Sequence, residues 1–176
     1  MKLNKISACL VISALLLTGC SSGGETQVTN TDVSIQENAS SEEIVVKEPA
    51  PADITAAIMS EIEIPSAVEK DIDSIDYYFT IDKTQLEDVS MYICGSGAFP
   101  DELVVLKMTS PEATETAVTA VQEHFTSQIE LYRDYTPNEF YKLEESEVIV
   151  RNNYVMLLVC SDNARAEEIA ESFFIN

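Results

Sequence analysis

Hydrophobic and polar positions divide the chain into an apolar amino-terminal run, a polar stretch and a regularly patterned region. Residues 6–17 contain no charged side chain and are almost entirely apolar. Between residues 21 and 52, apolar positions repeat with neither the period of a strand nor that of a helix. Both periods occur from residue 53 onward, so the pattern predicts one folded domain over residues 53–176.

Apolar residues spaced three and four apart predict three amphipathic helices in this domain. The first follows Asp53 as its cap and ends at Pro65. The second is long and follows the cap Ser110, and the third begins at Ser161 or Asp162 and closes the chain.

Two further segments have less regular patterns. Thr136–Glu139 has the sequence of a capping box, which predicts a short additional helix. Residues 66–82 mix acidic and aromatic side chains, and for them we expect a short helix followed by a turn.

Strand patterns occur as two consecutive pairs, each joined by a short turn. Apolar residues alternate with others near Val89–Cys94, and a glycine-containing turn leads to Leu103–Met108. A second pair, at 147–151 and 154–160, is joined through Asn152-Asn153. The expected fold is therefore α+β, with an antiparallel sheet of about four strands in two hairpins and helices packed on one face.

Charge narrows the range of partners. The 176 residues include 31 Asp and Glu against 10 Lys and Arg, which gives a formal net charge of −21. Such a surface repels phosphate backbones, so we expect no nucleic-acid partner.

The amino terminus has the pattern of an export signal. Lys2 and Lys5 precede the apolar run, which is shorter than the roughly 20 residues that span a bilayer. The run ends in Leu17-Thr18-Gly19-Cys20, which resembles the bacterial lipoprotein signal. The resemblance implies removal of residues 1–19 and attachment of diacylglycerol to Cys20; a plain secretory peptide is the alternative.

Residues 20–52 form the expected lipidated Cys20 and an acidic tether. Six acidic residues and a single Lys keep this segment solvated, so it cannot bury enough apolar area to fold. A flexible coil of this length spans on the order of 30 Å. The folded domain is therefore expected just outside the membrane, on its extracytoplasmic face.

Candidate catalytic chemistry is sparse. His124 is the one His, so every Ser-His-acid or Cys-His site in this chain needs it as base. Because no nucleophile turn lies near it in sequence, we favour a structural role on the helix flank and assign no catalytic residue. Paired carboxylates remain open as an acid-base alternative, since the chain has so many acids.

Candidate ligating groups are equally unspecific. Asp71, Asp73 and Asp76 suggest calcium, but the spacing departs from an EF-hand, and we favour a solvated acidic surface and assign no metal or cofactor. Cys94 and Cys160 both close strands; we favour buried thiols over a disulfide. Several Tyr residues provide either core packing or a binding surface.

Three motifs resemble one bacterial family. They are Asp101–Lys107, Tyr135–Glu139 and the apolar strand Tyr154–Val159, preceded in the chain by the lipoprotein signal and the tether. Together they are similar to the family called domain of unknown function four-three-five-eight, over about residues 54–175. This resemblance implies a small envelope lipoprotein of Firmicutes and supplies no activity.

We therefore expect a lipid-anchored extracytoplasmic domain that acts without catalysis. Its expected partners are the membrane, through Cys20, and an envelope protein, a cell-wall polymer or a small solute. The alternatives are a small envelope hydrolase that uses paired carboxylates and a passive accessory subunit of an envelope complex.

Overall fold

A computed structural model describes residues 48–175 of the chain. The predicted signal peptide, Cys20 and most of the predicted tether lie outside the described residues. Within residues 48–175, no helix combines the length and the apolar character that crossing a membrane requires.

The described domain combines five strands with four α-helices and two short 3-10 helices. The strands are β1 (Ala67–Lys70), β2 (Leu86–Cys94), β3 (Glu102–Met108), β4 (Val148–Arg151) and β5 (Tyr154–Val159). The α-helices are α1 (Pro51–Glu61), α2 (Pro111–Tyr135), α3 (Tyr141–Glu144) and α4 (Asn163–Ser172), and the 3-10 helices are Ile72–Tyr77 and Lys83–Gln85.

All strands join one antiparallel sheet in the order β1-β2-β3-β5-β4. The α+β class and both predicted hairpins, β2 with β3 and β4 with β5, are confirmed. The fifth strand is β1, which lies in the segment for which we predicted a short helix and a turn. It has only four residues, and most of their side chains are exposed, so no apolar alternation marks it.

Helices cover both faces of the sheet, so the prediction that they pack on one face is wrong. Val104 and Leu106 of β3 face a cluster that includes Ala117 and Phe125 of α2. Leu103 and Val105 face the opposite cluster, which contains apolar residues of α1 and α4. Because β3 and β5 are apolar at nearly every position, both of their faces need a covering layer.

The predicted helix caps are confirmed for α2 and α4 but not at Thr136–Glu139. Ser110 and Asp162 cap α2 and α4, and their side chains accept the backbone N–H groups of Ala113 and Arg165 at 3.2 and 3.0 Å. The capping box at Thr136–Glu139 is not formed, because that segment makes turns and α3 begins only at Tyr141.

The amino-terminal end of the described chain packs against the end of β3 that contains Lys107. Lys107 contacts the Glu48 carboxylate at 2.8 Å, and the Tyr154 hydroxyl donates to the Pro49 carbonyl at 2.7 Å. Pro51 then opens α1, two residues before the predicted cap Asp53. Residues 48–52, which we assigned to the tether, therefore belong to the folded domain.

Candidate functional site

A cavity of about 240 Å³ opens at the end of the sheet where β2 turns into β3. We call it the strand-end pocket; its lining includes Cys94, Phe99, Asp101, Glu102, His124, Gln128, Leu131 and Tyr132. These residues come from the end of β2, from the β2–β3 connection, from the start of β3 and from one face of α2. The pocket therefore brings together the single His and two adjacent acidic residues.

The rim of the pocket is a loop fixed by α2. The Tyr132 hydroxyl donates to the backbone carbonyls of Gly97 and Phe99 at 3.2 and 3.1 Å. Gly97 has φ +64°, a conformation that side-chain-bearing residues rarely adopt. Burial raises the pKa of Tyr132, so its hydroxyl keeps the proton that holds the loop.

Glu102 and His124 form a nearly buried pair inside the pocket. Nε2 of His124 lies 2.9 and 3.1 Å from the two carboxylate oxygens of Glu102. The side chain of His124 is only 8% exposed, and that of Glu102 is 6% exposed. The His124 ring also packs edge-on against Phe79, with ring centroids 5.0 Å apart. His124 therefore packs against an aromatic ring and has, in addition, a carboxylate partner that the sequence did not reveal.

Asp101 forms a second buried pair beside the first. Its Oδ2 accepts from Nζ of Lys142 at 2.7 Å, and the two side chains are 0% and 5% exposed. Nζ of Lys142 also contacts Glu139 at 2.8 Å. Burial raises the pKa of Asp101, although the contact with Lys142 opposes it. Among the described residues, no donor reaches Oδ1 of Asp101.

Burial acts against the ionised form of Lys142 as well. The hydrogen bonds from its ammonium to Asp101 and Glu139 outweigh this effect, so the pKa of Lys142 is raised. The ammonium therefore stays charged, and two carboxylates already share it.

Cys94 lines the pocket as a free thiol. Its Sγ lies 3.1 Å from Oγ of Ser96. Burial acts to raise the pKa of the thiol, but hydrogen bonds from Ser96 and from the backbone N–H groups of Phe99 and Gly97 outweigh it and lower the pKa.

Cys160 is also buried and free. It directly follows β5, and β3 separates β5 from β2, the strand that ends in Cys94. Two strand spacings amount to about 10 Å, beyond the roughly 7 Å that a disulfide tolerates between Cα atoms. Buried thiols are thus confirmed over a disulfide.

Two of the three acids for which we considered calcium, Asp71 and Asp76, have structural contacts. Asp71 accepts the backbone N–H and the hydroxyl of Ser74 at 2.9 and 2.7 Å, which starts a 3-10 helix. Asp76 pairs with Lys83 at 2.8 Å. Across residues 48–175, no three His, Cys, Asp or Glu side chains are grouped as metal ligands would be.

The Tyr residues divide between core and surface. Tyr132 and Tyr154 are buried, whereas Tyr77, Tyr135 and Tyr141 are exposed and belong to different elements. Tyr135 packs against Tyr132 with ring centroids 6.3 Å apart.

Sequence reasoning missed three charged residues of this site: Asp101, Glu102 and Lys142. The first two were noted only within a family motif. A signal for Glu102 is present, because it directly precedes the apolar run Leu103–Leu106, where an acid needs a partner if it is buried. Nothing local to Lys142 connects it with Asp101, 41 residues away.

A family model described as Domain of unknown function (DUF4358) matches residues 60–160. The matched region contains every residue named above as lining the strand-end pocket and does not reach Cys20. No curated protein and no solved structure gives a significant match to the chain.

Proposed function

We propose a binding function for this chain, which belongs to the family described as Domain of unknown function (DUF4358), a description that names no activity. In this proposal the protein is a lipoprotein, anchored through Cys20 on the extracytoplasmic face of the cell membrane. Its domain binds a small solute in the strand-end pocket and releases it unchanged.

The observation that carries this proposal is that the two reactive groups of the pocket, His124 and Cys94, each contact a different residue and not each other. His124 contacts Glu102 through Nε2, whereas the Cys94 thiol contacts Ser96. A nucleophile needs a base within hydrogen-bond reach, and among the described residues no contact joins Cys94 to His124. Preorganised polar groups within a small concave site are typical of ligand binding.

The two acids at the pocket also argue for binding over hydrolysis by paired carboxylates. Each carboxylate is committed to its own partner, Glu102 to His124 and Asp101 to Lys142. General acid-base hydrolysis needs two carboxyl groups that face a common substrate bond.

The position of the pocket supports a role next to a membrane. The described chain enters the domain beside Lys107, whereas the pocket lies at the Glu102 end of β3. These ends are about 17 Å apart for an extended strand. A lipid anchor attached through the preceding chain therefore leaves the pocket mouth open to solutes.

Two measurements test the proposal. Metabolic labelling with a fatty-acid analogue is expected to tag the wild-type protein and not Cys20→Ser, which is expected to leave the membrane fraction. Cell-wall fragments incubated with the purified protein are expected to remain intact. If wild type and Cys20→Ser fractionate equally, the proposed lipid anchor is wrong. If the purified protein degrades the cell-wall fragments and Glu102→Gln abolishes this turnover, the protein is a hydrolase and the binding proposal is wrong.

A further inference from the structure

The sheet has two edge strands, β1 and β4, and they differ in how well they are protected against pairing with another chain. β1 contains Glu69 and Lys70, and charged side chains on an edge strand oppose such pairing. β4 begins with three β-branched apolar residues at 148–150, and Val150 is 38% exposed. β4 is therefore the edge to which a further strand adds more readily.

Measured contacts show which residues of β4 turn their backbone groups outward. Backbone groups along a strand point alternately to its two sides. The carbonyl of Asn153 accepts the N–H of Met108 at 2.8 Å and so points to β3. The backbone groups of the next residue, Tyr154, therefore point to β4 and pair with those of Arg151, its register partner.

A second copy of the chain satisfies the outward backbone groups of β4. Alternation from Arg151 turns the N–H and C=O groups of Val148 and Val150 away from β5, on a side where the described part of the chain provides no strand. If two antiparallel copies of β4 meet at a two-fold axis through Ile149, Val148 of each copy lies opposite Val150 of the other. Every outward N–H then meets an outward C=O.

The same register places opposite charges across the two-fold axis. Glu147 is exposed directly before β4, and it lies opposite Arg151 of the second copy. Arg151 donates from Nε to Glu171 at 2.8 Å and from Nη1 to the Val150 carbonyl at 2.7 Å. Because a guanidinium has five N–H donors, donors remain for the second copy's Glu147. An axis one residue to either side loses this opposition of charges.

From the edge geometry and the charge pattern we infer that two copies of this chain pair through β4, antiparallel around a two-fold axis at Ile149, and join their sheets into one. No residue of β4 lines the strand-end pocket, so this inference goes beyond the proposed binding function and does not depend on it. Because β4 has only four residues, the contact is small and the dimer is expected to be weak and reversible.

Sedimentation velocity of the full-length protein in density-matched detergent tests the inference. Two copies of a chain with net charge −21 repel each other, so the measurement is made at about 0.15 M salt, where the Debye length is roughly 8 Å. The share of dimer is expected to rise as the protein concentration increases to about 1 mM.

Charge variants assign the dimer to β4. Glu147→Arg places like charges opposite each other at both ends of the paired strands, so the dimer is expected to weaken by at least about tenfold. Glu63→Arg makes the same change of charge at an exposed site before β1, on the other edge strand, and is expected to leave the dimer as strong as in wild type.

A mixture of two variants tests the register. Arg151→Glu alone is expected to weaken the dimer as Glu147→Arg does, because carboxylates then lie opposite each other. In an equal mixture of the two variants, only the mixed dimer sets opposite charges against each other at both ends, so dimer formation is expected to return. Circular dichroism verifies that each variant is folded, and where Arg151→Glu is not, the comparison of Glu147→Arg with Glu63→Arg decides.

Four outcomes would overturn the inference. Wild type that stays monomeric at every concentration shows that the outer side of β4 does not accept a second copy. A dimer of equal strength in wild type and Glu147→Arg shows that the copies meet through another surface. Equal changes in Glu147→Arg and Glu63→Arg show that net charge decides, and two folded variants whose mixture stays monomeric show that the axis at Ile149 is wrong.

Discussion

Glu102 at the start of β3 places its carboxylate 2.9 Å from Nε2 of His124 on α2. The two residues join a strand to the helix that covers it, and both side chains lie where the apolar core gives way to the strand-end pocket. The pair therefore contributes both to the packing of α2 and to the polarity of the pocket.

Removing the imidazole is expected to destabilise the domain. His124→Ala leaves the Glu102 carboxylate buried without its partner, and the free energy of unfolding is expected to fall by about 2–3 kcal/mol. Urea denaturation followed by circular dichroism measures the change. His124→Gln retains a donor and is expected to lose clearly less; equal losses in the two variants would show that the hydrogen bond to Glu102 does not matter.

Removing the ammonium of Lys142 is expected to lower the free energy of unfolding by an amount that depends on pH. Lys142→Met leaves Asp101 buried and unpaired, with an expected loss of about 3 kcal/mol at neutral pH. Burial already raises the pKa of Asp101 in the folded state. Its protonated form is thus favoured by folding, and the stability that this gives is present at acidic pH and lost as the pH rises through the folded-state pKa.

The difference between wild type and Lys142→Met is therefore expected to shrink by about half or more between neutral pH and pH 4. Urea denaturation at a series of pH values checks this trend. The double variant Asp101→Asn/Lys142→Met is the matched control, and it is expected to lose less stability at neutral pH than Lys142→Met alone. A loss independent of pH would mean that Asp101 is not the group left unpaired.

Removing the Tyr132 hydroxyl is expected to loosen the pocket rim. Tyr132→Phe deletes the donor to the Gly97 and Phe99 carbonyls, so amide hydrogens of residues 95–99 are expected to exchange faster. The free energy of unfolding is expected to fall by about 1 kcal/mol. Tyr135→Phe, on an exposed part of the same helix, is the control for hydrogen-exchange mass spectrometry. Unchanged exchange in Tyr132→Phe would show that the rim is held by other contacts.

The parts of the fold that sequence predicts are those with local causes. Ser110 caps α2 because its own hydroxyl reaches Ala113, three residues away. Asn152 turns the β4–β5 hairpin at φ 50°, a conformation that Asn tolerates better than most residues. The paired strands follow from apolar runs that are visible in the sequence alone.

The features that the sequence does not predict are those whose formation depends on tertiary contacts. β1 forms because Val68 and its neighbours pair with β2, and not because of an apolar pattern of their own. The pocket unites Asp101 and Glu102 with His124, which lies 22 residues beyond Glu102, and no local pattern indicates that contact. The covering of both sheet faces does have a signal in the sequence, because a strand that is apolar at nearly every position, such as β3, needs a covering layer on each of its faces.

Binding of a solute in the strand-end pocket is tested most directly by blocking the pocket. Gln128 lines the pocket from α2, so Gln128→Phe is expected to fill its mouth, whereas Thr116→Phe adds the same ring at an exposed site of that helix. Saturation-transfer NMR with a library of fragment-sized molecules compares both variants with wild type. The proposed function predicts fragments that bind wild type and Thr116→Phe and lose their signal with Gln128→Phe; fragments that bind all three proteins equally, or none that bind wild type, would contradict it.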